Sequence, residues 1–503
     1  MKKYKMIRIS TVTAMLLIGS SLFAGGDISP AAEPIQTKKS EKPKWQLNGN
    51  MTVKYNTLPG EVDTISALFS EGLFYGRLRA NAFNWDWSEE TEKLHDNHAM
   101  GIGGSLIYKS ASLHGFSGTA GFYTSQNPGF YNMDSDEVGF VKAGKDTLSR
   151  LKVKQTGNWG MNVLGQAFLQ YNSEVLDIIA GRQLFESVFT ASNDTKMIPN
   201  AFDGVSASAK IYDKTTARVA YFTDQKLRDH TTAHDVITFK DESGESWANN
   251  DDAAVHRGLN YANFVTAGED PDHDLIVADI QTKAIKNLKA TLSYLQVPGI
   301  VQDLVLEAHY KVAFDNGWAV KPGFRYFYQM DDGGGDIAGY TNITGKEAIG
   351  YNLGTDNSLD SSLIAARIDV TMPNKQGFFR LGYSKIDDKA DILTPWRGFP
   401  TGGFTRAMAQ YNWFANTETW MARVVYKVTP NLNMSLRYAI QDFDDAKKYV
   451  PADSDVWNLD VVYRLTDQLY LKGRVGIVNA DPGDTGKLDT SYNEYRAEIN
   501  YLF

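Results

Sequence analysis

The stretch TSYNEYRAEINYLF, Thr490 to Phe503, decides how the rest of the chain is read. Tyr495, Ala497, Ile499, Tyr501 and Phe503 alternate with Arg496, Glu498, Asn500 and Leu502. Apart from Leu502 this is a period of two, apolar on one face and polar on the other, the pattern of a β-strand. An aromatic residue at the end of such a strand is out of place on a soluble sheet, whose edges are usually blunted. It fits a strand that closes a barrel and turns its apolar face to lipid.

The totals agree with a barrel. The chain has 503 residues, no cysteine, 12% aromatic residues and a mean hydropathy of −0.35. That polarity argues against a helical membrane protein, whereas a transmembrane barrel needs only alternate residues of each strand to be apolar. Without cysteine there is no disulfide framework, lipid-anchoring thiol or thiol chemistry. The net charge of −9 disfavours a nucleic-acid partner. Residues 1–24 read as a secretory signal peptide: Lys2, Lys3, Lys5 and Arg8 precede a short apolar run, with cleavage after Ala24 or Gly26. Residues 25–65 read as a periplasmic N-terminal linker, with Pro30, Pro34 and Pro43 among lysines. Thr64 to Glu71 has the makings of a short helix.

Residues 66–503 fall into strands joined by two kinds of connection. Tight turns such as Asp213-Lys214-Thr215, Asp315-Asn316-Gly317 and Thr429-Pro430-Asn431 alternate with mostly long, polar loops. The long ones are Gln126–Asn158, Leu184–Phe202, Gln225–Asp272, Asp331–Asn357, Asp387–Asn416 and Asp444–Asp453. Loops sorted by length onto two ends are the layout of an all-β, antiparallel transmembrane barrel, here of about 18 strands. Outer-membrane lipid and the barrel assembly machinery are the expected partners, and Tyr495, Ile499, Tyr501 and Phe503 carry the assembly signal.

The phase of each strand sorts its residues. Ile364, Ala366, Ile368 and Val370 face lipid in one strand, Phe379, Leu381 and Tyr383 in the next. Trp420, Tyr426, Tyr438, Trp457 and Tyr463 near strand ends mark the interfacial girdle. On the opposite phase lie Arg77, Arg79, Arg325, Arg367, Arg380, Arg423, Arg437, Arg464, Arg474 and Arg496. An arginine facing lipid at the midplane costs about 2–4 kcal/mol, so these side chains enter the lumen. Most lie about four to seven residues above a short turn, roughly 10–18 Å up the wall; Arg464 is next to its turn. They form a basic ladder along one wall, while Asp177, Asp279 and Glu307 place acids on a mixed opposite wall. Each guanidinium offers a planar fork to a carboxylate.

Other constellations carry less. His95 with His98, and His230 with His234, lie in polar loops without a third ligand, so no metal or other cofactor is expected and the histidines read as solvated. Asp331 to Asp336 lacks the calcium-loop spacing. His309 has no evident Ser or Asp partner, so no catalytic residue is assigned and the chain is not read as an enzyme.

The chain resembles the OprD family of outer-membrane porins from about Ser66 to Phe503. The resemblance rests on Phe69-Ser70-Glu71-Gly72 with Gly76 and Arg79, on Gly181-Arg182-Gln183, on Asn193-Asp194-Thr195-Lys196-Met197-Ile198-Pro199 leading to Phe202-Asp203-Gly204, and on Phe503. It implies an eighteen-stranded channel in the bacterial outer membrane, monomeric or trimeric, that admits small carboxylates, amino acids among them. It also implies that Leu184–Phe202, with Asp194 and Lys196, folds inward as a constriction, and that Asp387–Asn416 narrows the lumen. Lys196 stands where the family pattern has Arg. The alternatives are an unselective or cation-preferring general porin, or a structural or adhesive surface protein with a plugged lumen.

Overall fold

A computed structural model of the chain describes residues 45–48, 51–240, 258–338, 358–408, 410–447 and 450–503. The signal-like segment 1–24, the linker residues 25–44 and the middles of the two long loops after Lys226 and Asp331 lie outside the described residues. From Leu73 onward, eighteen long strands are each hydrogen-bonded antiparallel to the next. The last, Tyr492–Leu502, pairs back onto the first, Leu73–Trp87, with Leu502 opposite Arg77 and Tyr492 opposite Trp87. The barrel is therefore closed and has no free edge.

The period of two sets the inside and outside. In the first strand Leu78 is 60% exposed, while its neighbours Arg77 and Arg79 are 0% and 3% exposed. Ile364, Ile368, Phe379, Leu381, Val424, Leu436, Val475 and Ile477 likewise stand on the outer surface. Ring pairs Tyr383–Trp420 and Tyr438–Trp457, with centroids 4.7 and 4.4 Å apart, join strand to strand around that surface. No helix among the described residues is long and apolar enough to cross a membrane. The apolar exterior belongs to the strands, which are paired to their neighbours around the whole ring, as lipid requires.

The two ends differ as the loop lengths predict, with one exception. Residues 298–300 make a tight turn at the long-loop end, where the Ile300 amide donates to the Val297 carbonyl at 3.0 Å. The long loops turn into the barrel. Phe185, Val188 and Phe189 of residues 184–200, Val236, Ile237, Leu259 and Phe264 of 227–274, and Ile392, Trp396, Phe399, Phe404 and Trp413 of 387–417 pack together. They meet inward-facing Leu275, Val277, Leu295, Val305, Phe327 and Leu363. The lumen thus holds an apolar core on this side, and a smaller cluster of Phe83, Trp85, Met408, Met421, Val456 and Val478 packs against the strands that carry the arginines.

Before the barrel, helix Ile65–Ser70 is capped by Thr64, whose Oγ1 accepts from the Ala67 amide at 3.1 Å. It lies on the short-turn rim, where Tyr108 donates to the Phe69 carbonyl at 2.7 Å. Residues Trp45–Leu47 and Val53–Tyr55, within the segment read as a linker, form a small antiparallel hairpin.

Candidate pore constriction

The loop 184–200 crosses to the wall formed by the first and last strands, and the wall arginines hold it there. Asp194 is 1% exposed and sits between two guanidiniums, 2.6 Å from Arg77 Nη2 and 2.5 Å from Arg79 Nη2. Both arginines also donate to its backbone carbonyl, at 3.2 and 3.1 Å. Arg496 donates to the Thr195 carbonyl, and Asn81 to that of Lys196 at 3.2 Å. Lys196 reaches the Ala143 carbonyl and lies 3.1 Å from Asp146. Burial pulls its ammonium down to about 8, with Asp146 opposing that shift.

The second inward loop is gripped in the same way. Arg325 donates to the Pro400 carbonyl at 2.6 Å, Arg367 and Arg380 both to that of Gly403 at 2.5 and 2.6 Å, and Arg437 to that of Arg406 at 3.0 Å. The Phe404 ring lies under Arg325 and Arg367, at 4.8 and 5.1 Å. The two loops then join each other: Gly398 donates to the Phe189 carbonyl at 2.8 Å and Ala191 to that of Trp396 at 3.0 Å. The result is a strap across the lumen, hooked to both sides of the basic wall.

Where the loops meet, charge concentrates. Asp146 lies 3.0 Å from Arg228 and close to Lys196. Burial alone raises a carboxyl, but Arg228, Lys196 and Lys145 outweigh it and hold Asp146 well below the usual carboxylate range. Tyr411 is shifted the other way from an ordinary buried phenol. Burial raises it, yet the field of Arg397, Lys145, Arg406 and Arg228 brings it below its usual value. The neighbourhood of that hydroxyl is strongly positive. These loop residues carried no signal of their own in the sequence, although Arg397, Arg406 and Tyr411 lie in a segment that the OprD resemblance turned inward.

The other expected residues fall as follows. Arg380, Arg423 and Arg437 are direct register partners on three successive strands, and Arg474 pairs with Arg496. Asp369 takes Arg380 at 2.6 and 3.0 Å, whereas Arg423 donates to the neutral Ser435 hydroxyl at 2.9 Å. Asp460 takes Arg474 at 2.8 Å, and Glu498 lies within 3.3 Å of Lys472 and 3.0 Å of Arg496. Arg464 stands apart at the rim, 3.8 Å from Asp467 of the adjoining turn. Glu307 lies beside the ladder, not across from it: it is the register partner of Arg325 and binds it at 2.5 Å, with His309 on its other oxygen. Asp279 pairs with Arg218 at 2.5 Å, and Asp177 accepts from Gln170 at 2.9 Å. Tyr495, Ile499 and Tyr501 face outward, and Phe503 exchanges backbone hydrogen bonds with Gly76 at 3.0 and 3.2 Å.

His230, read as solvated, is buried. Its ring lies 4.9 Å from that of His234 and 4.3 Å from Phe239, and burial pushes its imidazole down to about 3. The loop carrying it packs into the barrel, which loop polarity did not reveal. Among the described residues no group of three or more His, Asp or Glu is arranged to hold a metal. The Asp331 carboxylate is spent on the amides of Gly333, Gly335 and Leu359, at 2.8, 3.2 and 2.8 Å.

No protein-family model matches the chain, and no curated protein matches it. Solved structures do. OccAB3 of Acinetobacter baumannii superposes with a TM-score of 0.66 at 14% identity, over 86% of this chain and 100% of that one. The outer membrane protein OpdK of Pseudomonas aeruginosa gives 0.64 at 12% identity, over 87% and 99%, and OpdK with vanillate gives 0.63 at 13%. The chain has their fold. It is the closed eighteen-stranded barrel that the OprD resemblance implied.

Proposed function

We propose that the chain is an OprD-type porin of the bacterial outer membrane, passing small anionic or zwitterionic carboxylates such as amino acids by diffusion. The single observation that carries this reading is the run Arg380–Arg423–Arg437, three guanidiniums at paired positions on neighbouring strands, in which Arg423 meets a neutral hydroxyl. A carboxylate entering that wall meets three adjacent positive charges. Arg380 is already held by Asp369 and Gly403 and Arg437 by the Arg406 carbonyl, so Arg423, on a neutral hydroxyl, is the member of the run best placed to offer its fork. Each contact in a wet pore contributes about 1–4 kcal/mol before desolvation is subtracted, weak enough to let go. OpdK, which shares the fold, was crystallised with vanillate, itself a carboxylate.

Reversal potential in a salt gradient tests the reading. At pH 7, below the Lys196 value of about 8, the wild-type channel is expected to prefer anions. Arg423→Gln removes a wall charge without touching either loop, and is expected to reduce that preference with conductance nearly unchanged. A cation-preferring or unselective wild-type channel would replace this reading with that of a general porin.

A further inference from the structure

The hairpin of Trp45–Leu47 and Val53–Tyr55 is not part of the barrel, yet it brings Tyr55 and Met51 against inward-facing groups. Tyr55 stacks on Tyr75 at 5.9 Å and 25°, and Tyr75 is on the inner phase, two residues before Arg77. Met51 is 1% exposed and lies 3.1 Å from Lys472 Nζ. Lys472 is itself an inner-wall residue, 3.3 Å from Glu498. Trp45 meets the Tyr55 ring edge-on at 6.0 Å. Tyr75 and Lys472 belong to the two strands that flank Tyr492–Leu502. The hairpin therefore lies inside the barrel, against one arc of its wall, between the short-turn rim and Arg77.

The chain between hairpin and barrel is tied down at that rim. Glu61–Val62 pairs with Ser112–Leu113 of a short connection, Ala111 donates to the Leu68 carbonyl at 3.0 Å, and Gly115 to Glu61 Oε1 at 3.2 Å. Anchored there, the chain doubles back into the lumen. A loosely attached tail would not bury a methionine to this degree, because ordering its residues costs backbone entropy that contacts must offset.

We propose that this hairpin is a second selectivity element, at the periplasmic exit. It narrows the passage below the strap and covers Lys472, so that a solute leaving the guanidinium run meets aromatic and amide faces, Trp45, Tyr55 and Asn48, in place of another cation. A small carboxylate is thereby released and not held, while bulky solutes are turned back. The inference rests on the channel reading, and its test separates the two.

The experiment compares single-channel currents in planar bilayers for the full chain, for a chain lacking residues 45–56, and for the Trp45→Ala/Tyr55→Ala double variant. Loss of the hairpin is expected to raise conductance about twofold or more and to shift reversal potential toward anions as Lys472 is uncovered. The double variant moves both in the same direction by less. Identical conductance and reversal potential in all three overturn the inference and leave the channel reading standing; silence in all three overturns the channel reading. Should the shortened chain not assemble, Met51→Cys decides, since the chain has no cysteine of its own. Slow reaction with an anionic thiol reagent, followed by a drop in current, is expected. Rapid reaction that leaves the current unchanged would place Met51 outside the passage and refute the proposal.

Discussion

Arg79 shows what the inward phase demands of a single residue. Its position on the strand forbids the lipid side, and once inside, a buried guanidinium must find acceptors or cost several kcal/mol. It finds Asp194 of the constriction loop, through both carboxylate and carbonyl. Removing the acid leaves Arg77 and Arg79 facing each other without it. Asp194→Asn is expected to weaken docking of the loop by about 3–5 kcal/mol, read as a lower denaturant midpoint and as larger, noisier single-channel currents. The direction of each arginine was legible from a period of two. Its partner was not, because Arg79 and Asp194 are 115 positions apart and many wall acceptors are backbone carbonyls, which every residue carries.

At the scale of elements, the strap depends on how closely two loops approach. A Cβ at Gly398 would come within 2.1 Å of the Phe189 carbonyl carbon, backbone that has no side chain to move aside. Gly398→Ala is therefore expected to part the loops at a cost of about 1–3 kcal/mol, the usual range for overpacking. Conductance should increase while anion preference, set by the wall, persists. A variant with unaltered currents would mean that the strap does not limit flow. The inward course of both loops was implied by the resemblance, but their joining was not. The available signal was composition: Trp396, Phe399 and Trp413 are large apolar groups in a segment that would otherwise be bathed in water. The hairpin at 45–55 gave a weaker hint, since a few alternating residues between polar stretches do not say which side of a barrel they occupy.

For the whole molecule, strand number, closure and sidedness could be read from alternation and loop length, since each follows from lipid outside and water inside. The tight turn at 298–300 and the apolar core within the lumen could not, because both depend on how loops fill a cavity that only the finished barrel creates. Closure ends on Phe503, whose two backbone hydrogen bonds to Gly76 are worth about 1–3 kcal/mol together, little for a barrel of eighteen strands. Deleting Phe503 is expected to leave heat-modifiable gel mobility of detergent-refolded protein close to wild type while sharply lowering the folded yield in cells. Equal yields from cells would remove the terminal residue from assembly.

The hooks on the wall have a further consequence. Because Arg367 and Arg380 donate to the Gly403 carbonyl, whereas Arg423 does not, a change at either of the former is expected to loosen the strap as well as to remove a charge, and a change at Arg423 to remove a charge alone. On the channel reading proposed above, polarity is therefore adjustable at Arg423 without moving the strap, whereas width and charge change together at Arg367 and Arg380. Drift, or pressure from a toxic solute, then has one position at which polarity alone is retuned.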